Sequence, residues 1–350
     1  MAALAPLPTD ITAQPYVTAQ GEVVLGFTDT SSTNRMIPVR QGSATTHQPP
    51  VLWRTGARAG EPHLLALGMQ GQGTSTLLRS LALQALVHGD IVVIDGAGTG
   101  EHACLVGRPG VHTVETSLHG ALAALEWAMH ETQRRLDAHN LAKRTGGTPP
   151  ADTVRPLWLL LDHPAELSEL AHAEGRTDPQ DLLEVPLRHG RTAHVTVVVA
   201  DHLDALPRIK PTVRSAARAR VVLGPLDPDL APDALGAPLD ITPSIHTPPG
   251  RGYARLGIHP PFRLQVPAAP DPLDEETPAD QRDAVIALLP HTDSPTEASA
   301  PTPLAKNPPP APSGASGPSG PSGPALDRPE TPEERTGEIS TPISPALQMP

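Results

Sequence analysis

"LALGMQGQGTSTLLRSLALQAL", Leu65–Leu86, is the stretch on which the reading of this chain turns. An apolar run ends at Gly68, a turn follows with Gly71 and Gly73, and a helix-forming stretch runs from about Thr74 to His88. Glycines let the backbone curl so that successive N–H groups face inward at a phosphate, and the helix that follows adds the positive end of its dipole. Gly68, Gly71, Gln72, Gly73, Thr74, Ser75 and Thr76 are therefore candidate phosphate-binding residues, with the Ser75 hydroxyl where a Mg²⁺ ligand belongs. The lysine of such loops is missing. Thr74 stands in its place and cannot supply the ammonium that reaches the β- and γ-phosphates. A hydrogen bond to a charged group is worth roughly 1.5–3 kcal/mol, so its loss weakens binding by about one to two orders of magnitude. The alternative is a glycine-rich strand-to-helix turn that holds no ligand. Its position between an apolar strand and an amphipathic helix favours the cradle.

Outward from this loop the chain alternates strands and helices. "DIVVID" (Asp90–Asp95), "RPLWLLLDH" (Arg155–His163), "HVTVVVAD" (His194–Asp201) and "ARVVLGPL" (Ala219–Leu226) read as further buried strands, and a long helix is expected around Ser117–Asn140. Near-continuous apolar strands separated by helices predict an α/β fold with a mainly parallel sheet covered on both faces. Ligands of such sheets sit at the carboxyl ends of the strands, where the glycine loop, Asp95, Asp162 and Asp201 all fall.

"PLWLLLDHP" supplies a second motif. An apolar strand ending in Asp162 has the form of a Walker B element, whose aspartate holds Mg²⁺ through water. The next residue in that element is usually a glutamate that orients attacking water. Here it is His163. A positioned base contributes typically ~10²–10⁴ in rate, and a histidine is a candidate substitute of different length and pKa. The alternative for Asp162 is a strand-terminal aspartate that caps the next turn.

Three parts emerge along the sequence. Residues 1–57 carry two short strand-like runs, "EVVLGF" and "RMIPVR", in turn-rich text, and read as a small β extension. Residues 58–267 hold the α/β domain. Residues 268–350 are Pro/Gly/Ser-rich and acidic, with 13 acidic and 4 basic residues, and are expected to be a disordered tail apart from one short helix at Ala279–Leu289. That tail carries −9 of the net −12, so the acidic balance says little about what the folded part binds. Cys104 is the single cysteine, which excludes a disulfide framework and a Cys-based zinc site. The 16 histidines show no HExxH pair. No signal peptide and no run of about eighteen apolar residues is found, so a soluble, cytoplasmic-type chain without a membrane span is expected.

The order of these motifs resembles the FtsK/SpoIIIE family of RecA-like DNA-translocating ATPases, including relatives that drive plasmid transfer in mycelial actinobacteria. "EPHLLALGMQGQGTSTLLRSLALQAL" is similar to the family's strand, Walker A loop and helix, and "PLWLLLDHPAEL" occupies the Walker B place. "ALAALEWAMHETQRRL", with Glu131, Arg134 and Arg135, resembles its helix with a glutamate and paired arginines. "LRHGRTAHVTVVVADH" resembles the stretch with Gly-Arg, then His, then a strand ending in Ala-Thr-Gln, which here reads Ala200-Asp201-His202. The resemblance covers about residues 58–267 and its force lies in collinearity. It implies a RecA-like P-loop NTPase fold, ATP with Mg²⁺ as cofactors, double-stranded DNA as a partner, and assembly as a homo-oligomer or with an FtsK-like motor. It also makes Arg191 the candidate for an arginine acting catalytically at a nucleotide between subunits, beside His163 as candidate base.

The departures from that pattern cluster at the chemistry: Walker A lacks its Lys, Walker B its Glu, and the sensor-like strand that ends at Ala200-Asp201-His202 its Gln. Together they imply a degenerate member that holds Mg-ATP weakly and hydrolyses it poorly or not at all. The alternatives are a scaffolding or regulatory partner of an active motor, and an active ATP-dependent translocase of double-stranded DNA. For DNA contact the densest basic stretch is Arg208, Lys210, Arg214, Arg218 and Arg220.

Overall fold

The computed structural model describes residues 11–13, 22–28, 37–41, 44–48, 50–240 and 247–291. The first part contributes β1 (Ile11–Ala13), β2 (Glu22–Phe27), β3 (Ile37–Gln41), β4 (Ala44–Gln48) and β5 (Pro50–Arg54). β6 (Leu64–Gly68) then feeds α1 (Thr74–Ala85), followed by β7 (Asp90–Asp95), β8 (Val111–Glu115), α2 (Leu118–Thr145) and α3 (Ala151–Val154). After these come β9 (Leu157–Asp162), α4 (Pro164–Ala173), α5 (Glu184–Ala193), β10 (Val195–His202), α6 (Pro211–Ala216) and β11 (Ala219–Leu223). The last elements are α7 (Ala231–Leu235), β12 (Arg251–Arg255), β13 (Phe262–Gln265) and α8 (Ala279–Ile286).

Ten strands form one mixed sheet in the order β5-β2-β13-β12-β11-β6-β10-β9-β7-β8. From β11 to β8 every pairing is parallel, and from β11 outward to β5 every pairing is antiparallel. All residues of β6, β9 and β11 are buried, because helices cover both faces there. Side chains alternate between two cores with the period of a strand. Leu65, Leu67, Leu159, Leu161, Val197 and Val199 face one core with Leu122 of α2, Leu167 of α4 and Val213 of α6. Leu64, Ala66, Trp158, Leu160 and Val198 face the other with Leu77 and Leu81 of α1. A mainly parallel α/β sheet is what the apolar runs predict.

Two boundaries differ from the sequence expectation. The β extension divides: β2 joins the main sheet through β13, with Gln265 opposite Phe27, and β5 pairs with β2, whereas β1, β3 and β4 form a separate three-stranded antiparallel sheet. Trp53 of β5 meets Trp158 of β9 edge-on, ring centroids 5.8 Å apart, and so fastens the extension to the domain's own core. The packed chain also continues past Ala268. Ala269, Val285 and Leu289 are buried in the same core as α1, because the "AVIALL" run carries apolar side chains despite its Pro-rich, acidic surroundings. Residues 292–350, which hold the Gly-Pro-Ser repeat, lie outside the described residues.

Candidate functional site

The glycine loop joins β6 to α1 as expected. Gly71 and Gly73 take positive φ of 72° and 95°, and Gly73 is the left-handed residue from which α1 starts. At Gly68 a Cβ would come within 2.8 Å of Thr74 Cγ2, so any side chain there must displace Thr74. The loop is braced within itself and by the neighbouring β11 and the turn before β12. Met69 N–H donates to Leu223 O (3.3 Å), Gln72 N–H to Met69 O (3.0 Å) and Gly250 N–H to Gln72 O (2.9 Å). The Gln72 side chain packs onto Gly224, where a Cβ would lie 2.9 Å from Gln72 Cγ. Ser75 and Thr76 are partly exposed in the first turn of α1, whose leading N–H groups have no partner within the helix. Thr74 is buried against Gly68.

Beside the loop, strand register sets Asp95, Asp162 and Asp201 along one edge. Asp95 lies opposite Asp162, Asp162 opposite Ala200, and Asp201 opposite Leu67 of β6. All three carboxylates are buried. Their roles differ. Asp95 accepts from Gly98 N–H (3.0 Å) and Gly100 N–H (2.7 Å), which shapes the loop after β7. Asp201 accepts from Ala165 N–H at the start of α4 (3.0 Å) and from its neighbour His202 N–H (2.8 Å). Asp162 accepts on Oδ2 from His102 Nε2 at 2.9 Å, and its Oδ1 has no hydrogen-bond partner among the described residues. Burial pushes the Asp162 carboxyl up, but the His102 hydrogen bond, the charges of His102 and His163 and the nearby Ser75 hydroxyl outweigh it, holding the group below its ordinary range.

His163 sits immediately after β9 in the left-handed region, φ 50°, a conformation costing a non-glycine residue of order 1–3 kcal/mol. Its N–H is tied to Ala200 O at 2.9 Å. The ring lies between two carboxylates, Nε2 3.6 Å from Asp162 Oδ1 and Nδ1 3.6 Å from Asp201 Oδ1, with the His202 ring 4.5 Å away. Burial pulls its pKa down, and the Asp201 and Asp162 carboxylates more than reverse this, raising it to about 9. At neutral pH the ring is therefore an imidazolium, which donates protons rather than accepts them.

Thus the structure gathers Gly68, Gly71, Gln72, Gly73, Thr74, Ser75, Thr76, Asp162 and His163 at one end of the sheet. Arg191 is not among them. It is exposed near the end of α5 that leads into the first residue of β10, whereas the glycine loop faces the last residue of that strand. His102 is the residue that sequence reasoning misses. Sixty positions separate it from Asp162, and its only local signal is its place in a glycine-rich loop beyond a strand.

The basic stretch does not form one positive surface. Arg208 pairs with Glu169, and Lys210 with Asp178 (2.9 Å) and Asp181 (2.6 Å). Arg220 is buried and donates to Arg214 O, its pKa lowered to about 10 mainly by burial. Arg218 is exposed. Glu131 takes both Arg134 and Arg135 at 2.7 Å, and Arg135 also donates to Arg155 O (2.6 Å), tying α2 to the segment that enters β9.

A Mg²⁺ ion would find two hard oxygen donors here, Asp162 and the Ser75 hydroxyl. The donor set does not fit it. One carboxylate oxygen already accepts from His102, and the other faces the His163 imidazolium. The glycine loop keeps the form of a phosphate cradle, without a lysine.

No family model matches the chain. It is 29% identical over 247 residues to the ESX secretion system protein EccC of Thermomonospora curvata, a match covering 61% of this chain and 17% of that protein. Among solved structures, the cytoplasmic domain of the type VII secretion ATPase EccC of T. curvata superposes with a TM-score of 0.54 at 22% identity, covering 76% of this chain and 30% of that one. EssC (ATPases 2 and 3) of Geobacillus thermodenitrificans gives 0.57 at 14% identity over 81% and 51%. The pCW3 conjugation coupling protein TcpA with ATPγS gives 0.52 at 16% identity over 75% and 70%. The chain thus spans 17% of its curated relative and about a third of the EccC domain. Among the described residues no helix is long and apolar enough to cross a membrane. The fold of this chain is the RecA-like P-loop ATPase fold, and its structural neighbours are FtsK/SpoIIIE-type ATPases of secretion and conjugation.

Proposed function

We propose that this chain is a degenerate ATPase module of FtsK/SpoIIIE type, which cradles nucleotide weakly, hydrolyses it poorly or not at all, and serves as a scaffolding or regulatory partner of an active motor. One observation carries the reading: the carboxylate in the Walker B place is enclosed by two histidines, Nε2 of His102 at 2.9 Å and Nε2 of His163 at 3.6 Å. An imidazolium cannot orient water as a base. Without the ammonium that Thr74 replaces, charge developing on the phosphates in the transition state also loses its main stabiliser.

The neighbours support the assembly part of the reading. EssC and EccC carry ATPases numbered 2 and 3 within one chain, so an unequal set of modules, some catalytic and some structural, is a natural arrangement. An intact motor of the same fold, or further copies of this chain, is the partner class proposed. Double-stranded DNA is a weaker candidate, because Arg208 and Lys210 are already engaged by carboxylates.

The test measures ATP affinity and DNA-stimulated hydrolysis for the native chain and for Thr74→Lys combined with His163→Glu. The reading expects no turnover above background from the native chain and tighter ATP binding by the double variant. Robust hydrolysis by the native chain overturns it.

A further inference from the structure

We infer that His102 is a built-in stopper on the Asp162 carboxylate, so that the glycine loop takes the phosphates of a nucleotide without a divalent cation. This deepens the function proposed above and rests on its reading of Gly68–Ser75 as a cradle.

The contact is buried on both sides, with His102 1% and Asp162 2% exposed, and Nε2 stands 2.9 Å from Oδ2. Three anchors hold the histidine there. Asp95 pins the loop ahead of it through Gly98 and Gly100 N–H. Arg79 donates from Nη2 to the carbonyl of the preceding residue, Glu101, at 2.6 Å. Cys104 and Leu105, in the turn that follows, are buried in the core beneath α1. A chance rotamer would not be fixed from both sides of the chain.

The His102 ring occupies the Oδ2 side of the carboxylate, so a cation approaching there must displace a buried N–H, and that displacement strands two polar groups that water cannot reach. His102 Nδ1 already lacks a hydrogen-bond partner among the described residues, so the ring gains nothing locally by turning away. On the other side of the carboxylate stands the His163 ring, its Nε2 3.6 Å from Oδ1. Charge that a metal would bring to bound phosphates is supplied by the chain's own backbone: the N–H groups of the loop and the positive end of α1.

The experiment uses the full chain. ATP and ADP are titrated calorimetrically in EDTA and in millimolar MgCl₂. Separately, Mn²⁺ is added without nucleotide, and broadening of the His163 ring resonances is followed by NMR. For the native chain the two nucleotide affinities should agree within about twofold, and Mn²⁺ should leave His163 sharp. In His102→Ala, Mg²⁺ should tighten ATP by about tenfold or more, near 1.4 kcal/mol, and Mn²⁺ should broaden His163. His102→Gln, which keeps an N–H for Asp162, should behave as the native chain.

A native chain whose ATP affinity rises tenfold with Mg²⁺, or whose His163 is broadened by Mn²⁺, overturns the inference. So does a folded His102→Ala that gains neither response. If His102→Ala fails to fold, the two measurements on the native chain still decide. A native chain that binds no nucleotide under either condition removes the cradle and with it the cation-free binding, while the Mn²⁺ arm separately decides whether His102 closes the carboxylate.

Discussion

Arg79 and Ala269 meet across 190 positions of sequence, with Nη1 of the guanidinium donating to the Ala269 carbonyl at 2.7 Å. Arg79 lies in the middle of α1 and is 2% exposed, and its Nη2 donates to Glu101 O at 2.6 Å. One buried side chain therefore joins three things: the helix behind the phosphate loop, the loop that carries His102, and the segment after β13. It ties the start of the packed 268–291 segment to α1, beside the apolar contacts of Ala269, Val285 and Leu289.

Replacing Arg79 with methionine keeps most of the stem but leaves the buried Ala269 carbonyl and the part-buried Glu101 carbonyl without their donor. Each such loss costs about 1–3 kcal/mol, so Arg79→Met is expected to lower stability by roughly 2–4 kcal/mol. Residues 266–291 should also become accessible to limited proteolysis before the sheet does. Urea unfolding gives the first quantity and timed digestion with mass spectrometry the second. A variant digested in the native order would show that Arg79 is not what holds the segment.

Gly96 offers a sharper probe of the site's backbone. It follows Asp95, its N–H donates to Asp162 O at 2.8 Å, and a Cβ there would lie 2.3 Å from His163 O and 2.7 Å from Asp162 O. Both obstacles are main chain and cannot swing aside. Gly96→Ala must push β7 away from the end of β9, a rearrangement expected to cost about 2–4 kcal/mol and to loosen the His102–Asp162 contact. Calorimetry should show the lowered Tm, and the His102 ring resonances should shift. Gly71→Ala, with φ 72° and nothing near its Cβ, should cost only about 1–2 kcal/mol.

How much of this was legible beforehand follows from where each signal resides. The β6–loop–α1 unit and the runs of β7, β9, β10 and β11 are local patterns, and the apolar text between glycines and helices gives them directly. β12 and β13 escape notice because "RGYAR" and "FRLQ" are short, half-polar and set between prolines and glycines. Only pairing with β11 and β2 makes them strands. Composition hides the packing of Ala269, Val285 and Leu289, since Pro and acidic residues dominate the count around them. At the site the three aspartates are predictable from strand ends, but their partners are not. That Asp95 serves glycine N–H groups and Asp162 serves a histidine depends on a loop closing back over the sheet.

His63 predicts an acid limb in the stability profile. It is 1% exposed beside the first residue of β6, and its Nδ1 accepts from Val197 N–H at 3.1 Å, which requires an unprotonated nitrogen. Burial lowers its pKa from 6.5 to about 4, opposed only in part by the Leu187 carbonyl. Above pH 6.5 both folded and unfolded states hold it neutral. Between pH 6.5 and 4 the unfolded chain binds the extra proton, so stability falls as pH falls, by up to about 3 kcal/mol across that window. His63→Asn, whose Oδ1 can take over the acceptor position, should remove this contribution. Urea midpoints at pH 7 and pH 4.5 for both proteins check it, and equal acid losses would assign the limb elsewhere.

His163→Glu restores the residue type expected after a Walker B aspartate, and the present surroundings make that costly. In the native chain the raised pKa, about 9 against 6.5 when unfolded, means that the bound proton stabilises the fold. The contribution is fully present below pH 6.5 and is lost as pH rises through 9. At pH 7 it amounts to about 2.5 kcal/mol by linkage. The substitution removes that cation and sets a third carboxylate among Asp162 and Asp201, each 3.6 Å from a ring nitrogen it replaces. Three mutually repelling acids raise one another's pKa, so the variant should be most stable in mild acid and lose about 2–4 kcal/mol at pH 7 relative to the native chain. Its alkaline decline between pH 6.5 and 9 should be absent. Pairing the change with His102→Ala opens the same carboxylates to a counter-cation, and millimolar Mg²⁺ should then raise the Tm of the double variant but not that of the native chain. Thermal melts from pH 5 to 9, with and without Mg²⁺, test each of these signs. A His163→Glu protein as stable as the native one at pH 7 would mean that the ring is not held as a cation between the two aspartates.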